Sequence, residues 1–483
     1  VAKGVLTEEE GALLLKGRTG EKEAAAAKKD SAVSAKFKDG LSFESGDGKF
    51  KAQINGRVHT DFRTFNYNEG KNNASLTAGD ITNSIASSTS NALSDGFEVR
   101  RSRLGFKAAY KDYYEGEVVA DLTDASALID VASLNIAWWK QAQFKMGIFK
   151  MPMNLEELTS SNNIDFMERS FVNGLSPTKE VGAMIHGTPF TGATYALAYS
   201  NGNGKTRETD MREDGGDVIG RVTANFAEIM GNKNMVMHAG ASFSQGDQFL
   251  AKGSAAVSQT ASVAAVAAVT SAIGFGTART EGRGATFMTG PSVLNATNST
   301  LDRSRVGLEG ALAYGPFKAQ AEWMKLNNEF ATANNNYDLD TNAWYAEALW
   351  TLTGEAYADN YKNGAFGALK PSKDFDPTTF KGGIWEIGAR FSQFDASDYN
   401  SPLLAQGSSS ADSAVSTKSK GFAKANSYVV GLKFLPTANT KLMLNFIKTD
   451  FNDVIGGATG GVIINNERVT GEKAINMRAQ WMF

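Results

Sequence analysis

Hydrophobic and polar positions alternate with a period of two over long stretches of this chain, which is the signature of extended strands with one apolar and one polar face. From Lys49 the two rows separate cleanly. Phe50, Ala52, Ile54, Gly56, Val58, Thr60 and Phe62 form one, and Lys49, Lys51, Gln53, Asn55, Arg57, His59, Asp61 and Arg63 form the other. A tilted strand needs about nine to eleven residues to cross a bilayer, and this one is longer than a soluble strand usually runs. The final stretch sets Ile475, Met477, Ala479, Trp481 and Phe483 against Asn476, Arg478 and Gln480 and ends on an aromatic residue, as the closing strand of a membrane barrel does. Taken alone it fits the edge of a soluble sandwich; repetition of the pattern is what points to a barrel.

Similar rows recur at Leu104 to Ala108, Val118 to Leu122, Ala132 to Trp138, Phe144 to Ile148, Tyr195 to Tyr199, Val218 to Phe226 and Met235 to Phe243. They continue at Val306 to Tyr314, Phe317 to Trp323, Trp344 to Trp350, Trp385 to Phe391, Tyr428 to Phe434 and Leu442 to Phe446. With a weaker strand near Glu180 to Phe190 and the terminal one, this predicts an all-β fold: a transmembrane antiparallel β-barrel of about sixteen strands over residues 49–483. An even count puts both chain ends on the periplasmic side.

The connections support the same reading, because such barrels have short periplasmic turns and long extracellular loops. Tight turns are predicted at Tyr110 to Tyr113, Lys140-Gln141, Thr191-Gly192, Gly231 to Asn234, Gly315-Pro316 and Pro436 to Asn439. Long polar stretches lie near 64–96, 151–179, 201–215, 248–302, 327–341, 395–426 and 450–473. Gly354 to Lys381 is long where a short turn belongs and reads as an insertion. The Ala/Val-rich run Ala251 to Phe275 is broken by Ser, Thr and Gln, so it is expected to be a loop element tucked into the lumen or against a neighbouring subunit rather than a membrane helix. The loops 151–179 and 248–302 are expected to fold inward. Residues 1–48 form a separate N-terminal extension, with a charged, Ala-rich, partly helical segment to about residue 35 and a short strand from Lys36 to Ser45.

Composition narrows the function. The 483 residues are 42% hydrophobic, and no apolar run is long enough for a transmembrane helix. The absence of cysteine excludes disulfides, thiolate metal sites and cysteine-linked haem. A net charge of −3 from 49 basic and 52 acidic residues argues against a nucleic-acid partner. No secretory signal stands at Val1, so a mature chain is expected. His59, His186 and His238 share no ligand spacing and stand beside no activated nucleophile, so neither an enzyme, a metal site nor a cofactor is predicted. The stretch Asn201-Gly-Asn-Gly-Lys205 lacks the strand-to-helix setting of a phosphate loop.

Parity turns Lys49, Lys51, Arg57 and Arg63 inward, and with them Arg101, Arg103 and Lys107; it does not place Arg100. Lumen cations concentrate anions, and Arg adds bidentate hydrogen bonding. The same charges also serve plain solvation or pair with Glu115, Glu117 or Asp121, which would leave an unselective pore. Two further readings are a non-conducting adhesion or scaffold barrel and a sheath around a partner such as an electron carrier.

Several stretches together resemble the phosphate-selective porins, the O/P porins of the bacterial outer membrane. They are Gln53-Ile-Asn-Gly-Arg57, Arg100-Arg101 with Leu104-Gly-Phe106, Phe144-Lys-Met-Gly-Ile-Phe149, Glu168-Arg169, Val306-Gly-Leu-Glu-Gly310 with Phe317-Lys-Ala-Gln-Ala-Glu322, Thr351-Leu-Thr-Gly-Glu355, and the last strand. The resemblance runs from about Lys36 to Phe483. It implies an outer-membrane, homotrimeric, sixteen-stranded channel for small anions such as phosphate. By the same resemblance Arg57, Arg100, Arg101, Lys145 and Arg169 fall at pore-lining cations and Asp130 at a pore-lining aspartate. Glu157 stands where the family has a constriction lysine, Gln53 replaces another lysine, and Arg103 and Lys150 stand where tyrosines are expected. The family's arginine ladder is thinned to Arg279 and Arg283.

Overall fold

The computed structural model describes residues 7, 9–10, 12–19, 33–37, 40–69, 76–87, 95–124, 128–202, 204–205, 216–249, 271–272, 276–293, 300–332, 334–408, 410, 412, 415–465 and 467–483. The alternating rows become sixteen strands. They are β1 (Phe50–Glu69), β2 (Gly96–Tyr110), β3 (Tyr114–Asp121), β4 (Ile129–Trp139), β5 (Ala142–Lys150), β6 (Lys179–Gly187), β7 (Ala193–Ser200) and β8 (Gly216–Asn225), then β9 (Met235–Phe249), β10 (Thr300–Tyr314), β11 (Phe317–Ala331), β12 (Asn336–Thr351), β13 (Ile384–Asp395), β14 (Lys420–Thr437), β15 (Thr440–Val454) and β16 (Glu467–Met482). Each pairs antiparallel with its sequence neighbour. β16 returns to β1, with Lys473 opposite Asn66 and Met482 opposite Arg57, so the wall closes and leaves no edge along its length. A glycine lets the terminal residue join the seam. Gly56 and Phe483 exchange two backbone hydrogen bonds of 2.8 and 3.0 Å, and a Cβ on Gly56 would stand 2.4 Å from the Phe483 ring.

Leu104, Phe106, Val118, Leu134, Met146, Leu197, Leu308, Leu312, Phe446 and Met477 are exposed on the outer face, as lipid contact requires. At the tight-turn end this face carries Tyr113, Trp138, Trp139, Tyr314, Phe317, Trp350, Trp385 and Trp481, with Phe317 stacked on Trp350 and Trp385 stacked on Phe434. That is the aromatic girdle of a bilayer interface. No described helix is long and apolar enough to cross a membrane.

Three expectations change. The stretch 327–341 is strand rather than loop, leaving only 332–335 as the connection between β11 and β12. Its polar side chains satisfy one another across the ladder: Asn327 donates to Asp338 and Asp340, and Lys325 pairs with Asp340 at 2.7 Å. The single strand expected from Lys36 to Ser45 is a hairpin, Val33–Phe37 against Leu41–Ser45. Its second strand pairs with β1 from Leu41 opposite Ile54 to Glu44 opposite Lys51, along the part of β1 that β16 does not reach. Third, β1 extends to Glu69 and β15 to Val454, so the flanking loops near 64–96 and 450–473 are shorter than the polarity of their residues suggests. Residues 12–19 are helical; the run Ala251 to Phe275 lies outside the described residues apart from 271–272.

The insertion 354–381 has a physical account. Tyr357, Ala358 and Phe366 pack against Leu155 and against the inward-facing Val236, Ala311, Ala313 and Leu349. Tyr361 Oη lies 2.6 Å from His238 Nδ1, Arg221 donates to the Gly364 carbonyl at 3.1 Å, and the Lys318 ammonium sits 4.2 Å from the Phe366 ring centre. The insertion thus occupies the lumen beside β8 to β12. From the other end, Asn154 caps a short helix, Leu155–Leu158, whose Leu155 and Glu156 N–H groups each donate to Glu322 on β11 at 2.8 Å. Loop side chains share an apolar cluster in which Phe287, fully buried, meets Phe171, Phe394 and Phe451 at 5.5 to 5.7 Å between ring centres.

Candidate pore constriction

The lumen side of β1 and β2 is built around a register shift. His59 stands opposite Arg101 and Thr60 opposite Val99, so Arg100 is the extra residue of a β-bulge and both arginines turn inward. Arg100 grips Glu168 through two bonds, Nε to Oε1 at 2.9 Å and Nη2 to Oε2 at 3.2 Å. Arg63 and Arg478 reach the same carboxylate at 2.7 and 3.0 Å. Burial works to raise the Glu168 carboxyl, but Arg100, Arg478, Arg101 and Arg63 outweigh it and hold it well below its ordinary 4.5. Glu156, on the same loop, goes the other way: burial pushes its carboxyl up despite Arg390.

Arg101 is different. It is buried, its Nη1 has no hydrogen-bond partner, and among the described residues no carboxylate lies within ion-pair distance. Arg103 is paired, with Asp121 at 2.7 Å and Asp130 at 2.9 Å. Asp130 also holds Lys179 at 2.6 Å and Lys205 at 3.6 Å.

Arg57 donates to Ser161 Oγ at 3.0 Å, Asn162 Oδ1 at 3.2 Å and Ser160 Oγ at 3.4 Å, all neutral acceptors. The same segment takes His59 on Asn162 Oδ1 at 3.2 Å and Lys441 on the Asn162 carbonyl at 2.6 Å. Lys150 donates to the carbonyls of Glu157 and Thr159, and Arg169 to those of Glu156, Glu157 and Thr159. Between them they flank the Glu157 carboxylate, Lys150 at 3.7 Å and Arg169 at 3.4 Å. Lys107 pairs with Glu117 at 3.2 Å, and the Lys145 ammonium lies 5.7 Å from the Phe149 ring centre. Arg279 donates to the carbonyls of Arg283 and Gly284 at 2.5 and 3.1 Å.

These residues line two cavities. One, of about 550 Å³, is walled by Arg100, Arg101, Arg103, Arg169, Lys179, Lys205, Arg279 and Arg283 against four carboxylates among the described residues, Asp130, Glu157, Glu168 and Glu281. The other, of about 500 Å³, is lined by Lys51, Gln53, Lys107, Glu115, Glu117 and Lys145, together with Lys36 and Glu44 of the N-terminal hairpin. On β1, Arg57 stands opposite Arg103, between Gln53 of the second cavity and the position opposite Arg101 of the first. The 160–162 segment that Arg57 holds therefore sits at a level between the two cavities. A lumen with this excess of fixed cations concentrates anions and repels cations.

The family model described as Phosphate-selective porin O and P matches residues 52–483. The chain belongs to that family. It is 24% identical to Porin O of Pseudomonas aeruginosa over 426 residues, 86% of each chain. Among solved structures it is similar to the anion-selective porin from Comamonas acidovorans, with a TM-score of 0.50 and 11% identity, covering 90% of this chain and 100% of that one. The porin is therefore a closed sixteen-stranded barrel of the bacterial outer membrane, its exterior in contact with lipid.

Of the residues read from the sequence, the porin gathers Arg100, Arg101, Arg103, Asp130, Glu157, Arg169, Arg279 and Arg283 around the first cavity and sends Lys107 and Lys145 to the second. Arg57 and Lys150 hold the 151–178 loop to the wall. Sequence reasoning missed Lys179, Lys205, Glu168, Glu281, Lys441 and the Ser160 to Asn162 segment as site residues. Lys179 is the first residue of its strand, where alternation carries no information, and Lys205 lies beyond β7. Glu168 had a signal, its place beside Arg169 in the resemblance.

Proposed function

We propose that this porin is a passive diffusion channel for small anions, phosphate and other small oxyanions among them, with the loop segments 151–178 and 276–293 forming its constriction. The observation that carries this reading is Arg101: a buried guanidinium with an unpaired N–H on the wall of a cavity that, among the described residues, holds eight cations and four carboxylates. An anion entering there is attracted by that uncompensated charge, whereas a cation is repelled by it. Arg57, presented on neutral oxygens, and Lys145, without a carboxylate in reach among the described residues, extend the same preference toward the second cavity. The family description and the anion-selective neighbour agree with it. Passage is diffusion rather than catalysis and uses no cofactor. Three copies are proposed to assemble, on the family resemblance; light scattering in detergent should give about three times the 51.6 kDa of one chain.

The test is competition. Phosphate added to a single channel carrying chloride should lower the chloride current saturably, and Arg101→Ala should weaken that block. A current indifferent to phosphate would remove phosphate from the solutes this pore binds.

A further inference from the structure

Arg279 and Arg283 reach the first cavity from a short hairpin, Thr277–Arg279 against Thr286–Thr289, whose tip spans 280–285. The tip lies on the inner face of β16. There Glu472, 1% exposed, accepts from Thr280 Oγ1 at 2.6 Å and from the Ala285 N–H at 2.5 Å, taking hold of both ends of the tip. Thr280 Oγ1 in turn accepts from the Gly284 N–H at 3.0 Å. Two glycines let the tip lie flat against the wall. A Cβ on Gly284 would stand 1.9 Å from a Glu472 carboxylate oxygen, and one on Gly282 would stand 3.0 Å from the Ala474 Cβ. The clasped tip also aims a pore cation, because the Arg279 guanidinium donates to the Arg283 and Gly284 carbonyls.

Among the described residues no cation lies within ion-pair distance of Glu472, and its two hydrogen-bond donors are neutral and both on this tip. A carboxylate buried in that way is costly, and its hydrogen bonds must be kept to offset the cost. Its burial is explained by the hairpin it holds.

We infer that Glu472 is a positioning residue for anion passage: without touching the solute, it seats the hairpin tip so that Arg279 and Arg283 line the same cavity as Arg100 and Arg101. This rests on the anion-channel reading above. The sign of its effect separates it from simple electrostatics. A carboxylate acting only through its charge opposes anions, so its removal raises anion preference; one that seats two arginines supports anions, so its removal lowers it.

The experiment compares reversal potentials in a potassium chloride gradient for the wild type, Glu472→Ala, Glu472→Gln and Thr280→Val. A glutamine keeps both contacts, its carbonyl accepting from Ala285 N–H and its amide donating to Thr280 Oγ1, so Glu472→Gln should stay at or above the wild-type chloride preference. Glu472→Ala and Thr280→Val should each lower the chloride-to-potassium permeability ratio by about threefold. Thr280→Val leaves the barrel wall untouched, so it decides the matter even if the alanine variant assembles poorly. Because the chain has no cysteine, Arg279→Cys supplies a clean second readout. Its thiol, exposed beside the cavity cations, should react more slowly with an anionic reagent when Thr280→Val is added, because the unseated tip leaves their positive potential. Glu472→Ala and Thr280→Val as anion-selective as wild type or more so, with an unchanged thiol rate, would overturn the inference. A wild type that prefers potassium would sink the channel reading instead, while the thiol rate would still report on the seat.

Discussion

On the β8 to β14 side of the lumen the inward cations meet carboxylates at close range: Arg303 and Arg305 share Asp217, Arg221 takes Glu309, Lys318 takes Asp165, Arg390 takes Glu281 and Glu156, and Lys433 takes Glu386. On the β1 to β5 side Arg57, Arg101 and Lys145 have no carboxylate within ion-pair distance among the described residues, and Arg101 and Lys145 each line a cavity. Charge is abundant on both sides, so abundance does not decide permeation. What differs is compensation. The first side uses charge as mortar beneath the inward-folded insertion and loops, where a buried ion pair stays neutral overall and removing one partner is expensive. The second leaves uncompensated positive charge beside the lumen cavities, where its field acts on solutes.

The contrast breaks most sharply at Arg101. Arg101→Glu should lower the chloride-to-potassium permeability ratio by about tenfold, read from reversal potentials, because it inverts the uncompensated charge at the cavity wall. Glu157→Lys is smaller and of opposite sign. It frees Lys150 and Arg169 from their shared carboxylate and adds a cation, so anion preference should rise about threefold. No rise would mean that Glu157 does not act on the solute path. Acid sharpens the comparison in a third way. The Glu168 value is depressed below 4.5, so its stabilisation of the loop is fully present above that value and is lost only as pH falls through the lower folded value. Protease resistance of loop 151–178 should therefore hold from about pH 7 to about pH 5 and fail only in strong acid. The smallest effect belongs to the mortar: the paired change Lys433→Met with Glu386→Gln should move the permeability ratio by less than about 1.5-fold, since it removes no net charge.

The barrel was legible because lipid imposes period two on the outer face, and Leu308, Leu312, Phe446 and Met477 obey it wherever the strand lies. Turn-end aromatics such as Trp138 and Trp350 were legible for the same reason. The filling of the lumen was not, because Tyr357 and Phe366 of the insertion follow no period and meet Val236 and Ala311 from distant strands. Parity found Arg63 and Lys107 as inward cations but could not show that Glu168 and Glu117 neutralise them, since pairing depends on three-dimensional proximity. Arg100 defeated parity outright because a bulge adds one residue to its strand. The distinction between compensated and free charge, on which function turns, is thus the part that only the folded chain displays.

The most direct measurement is the zero-current potential of the purified wild-type porin in a planar bilayer separating dilute from concentrated potassium chloride. The sign set by chloride flow is predicted; a potential of zero, or one set by potassium, would contradict the account.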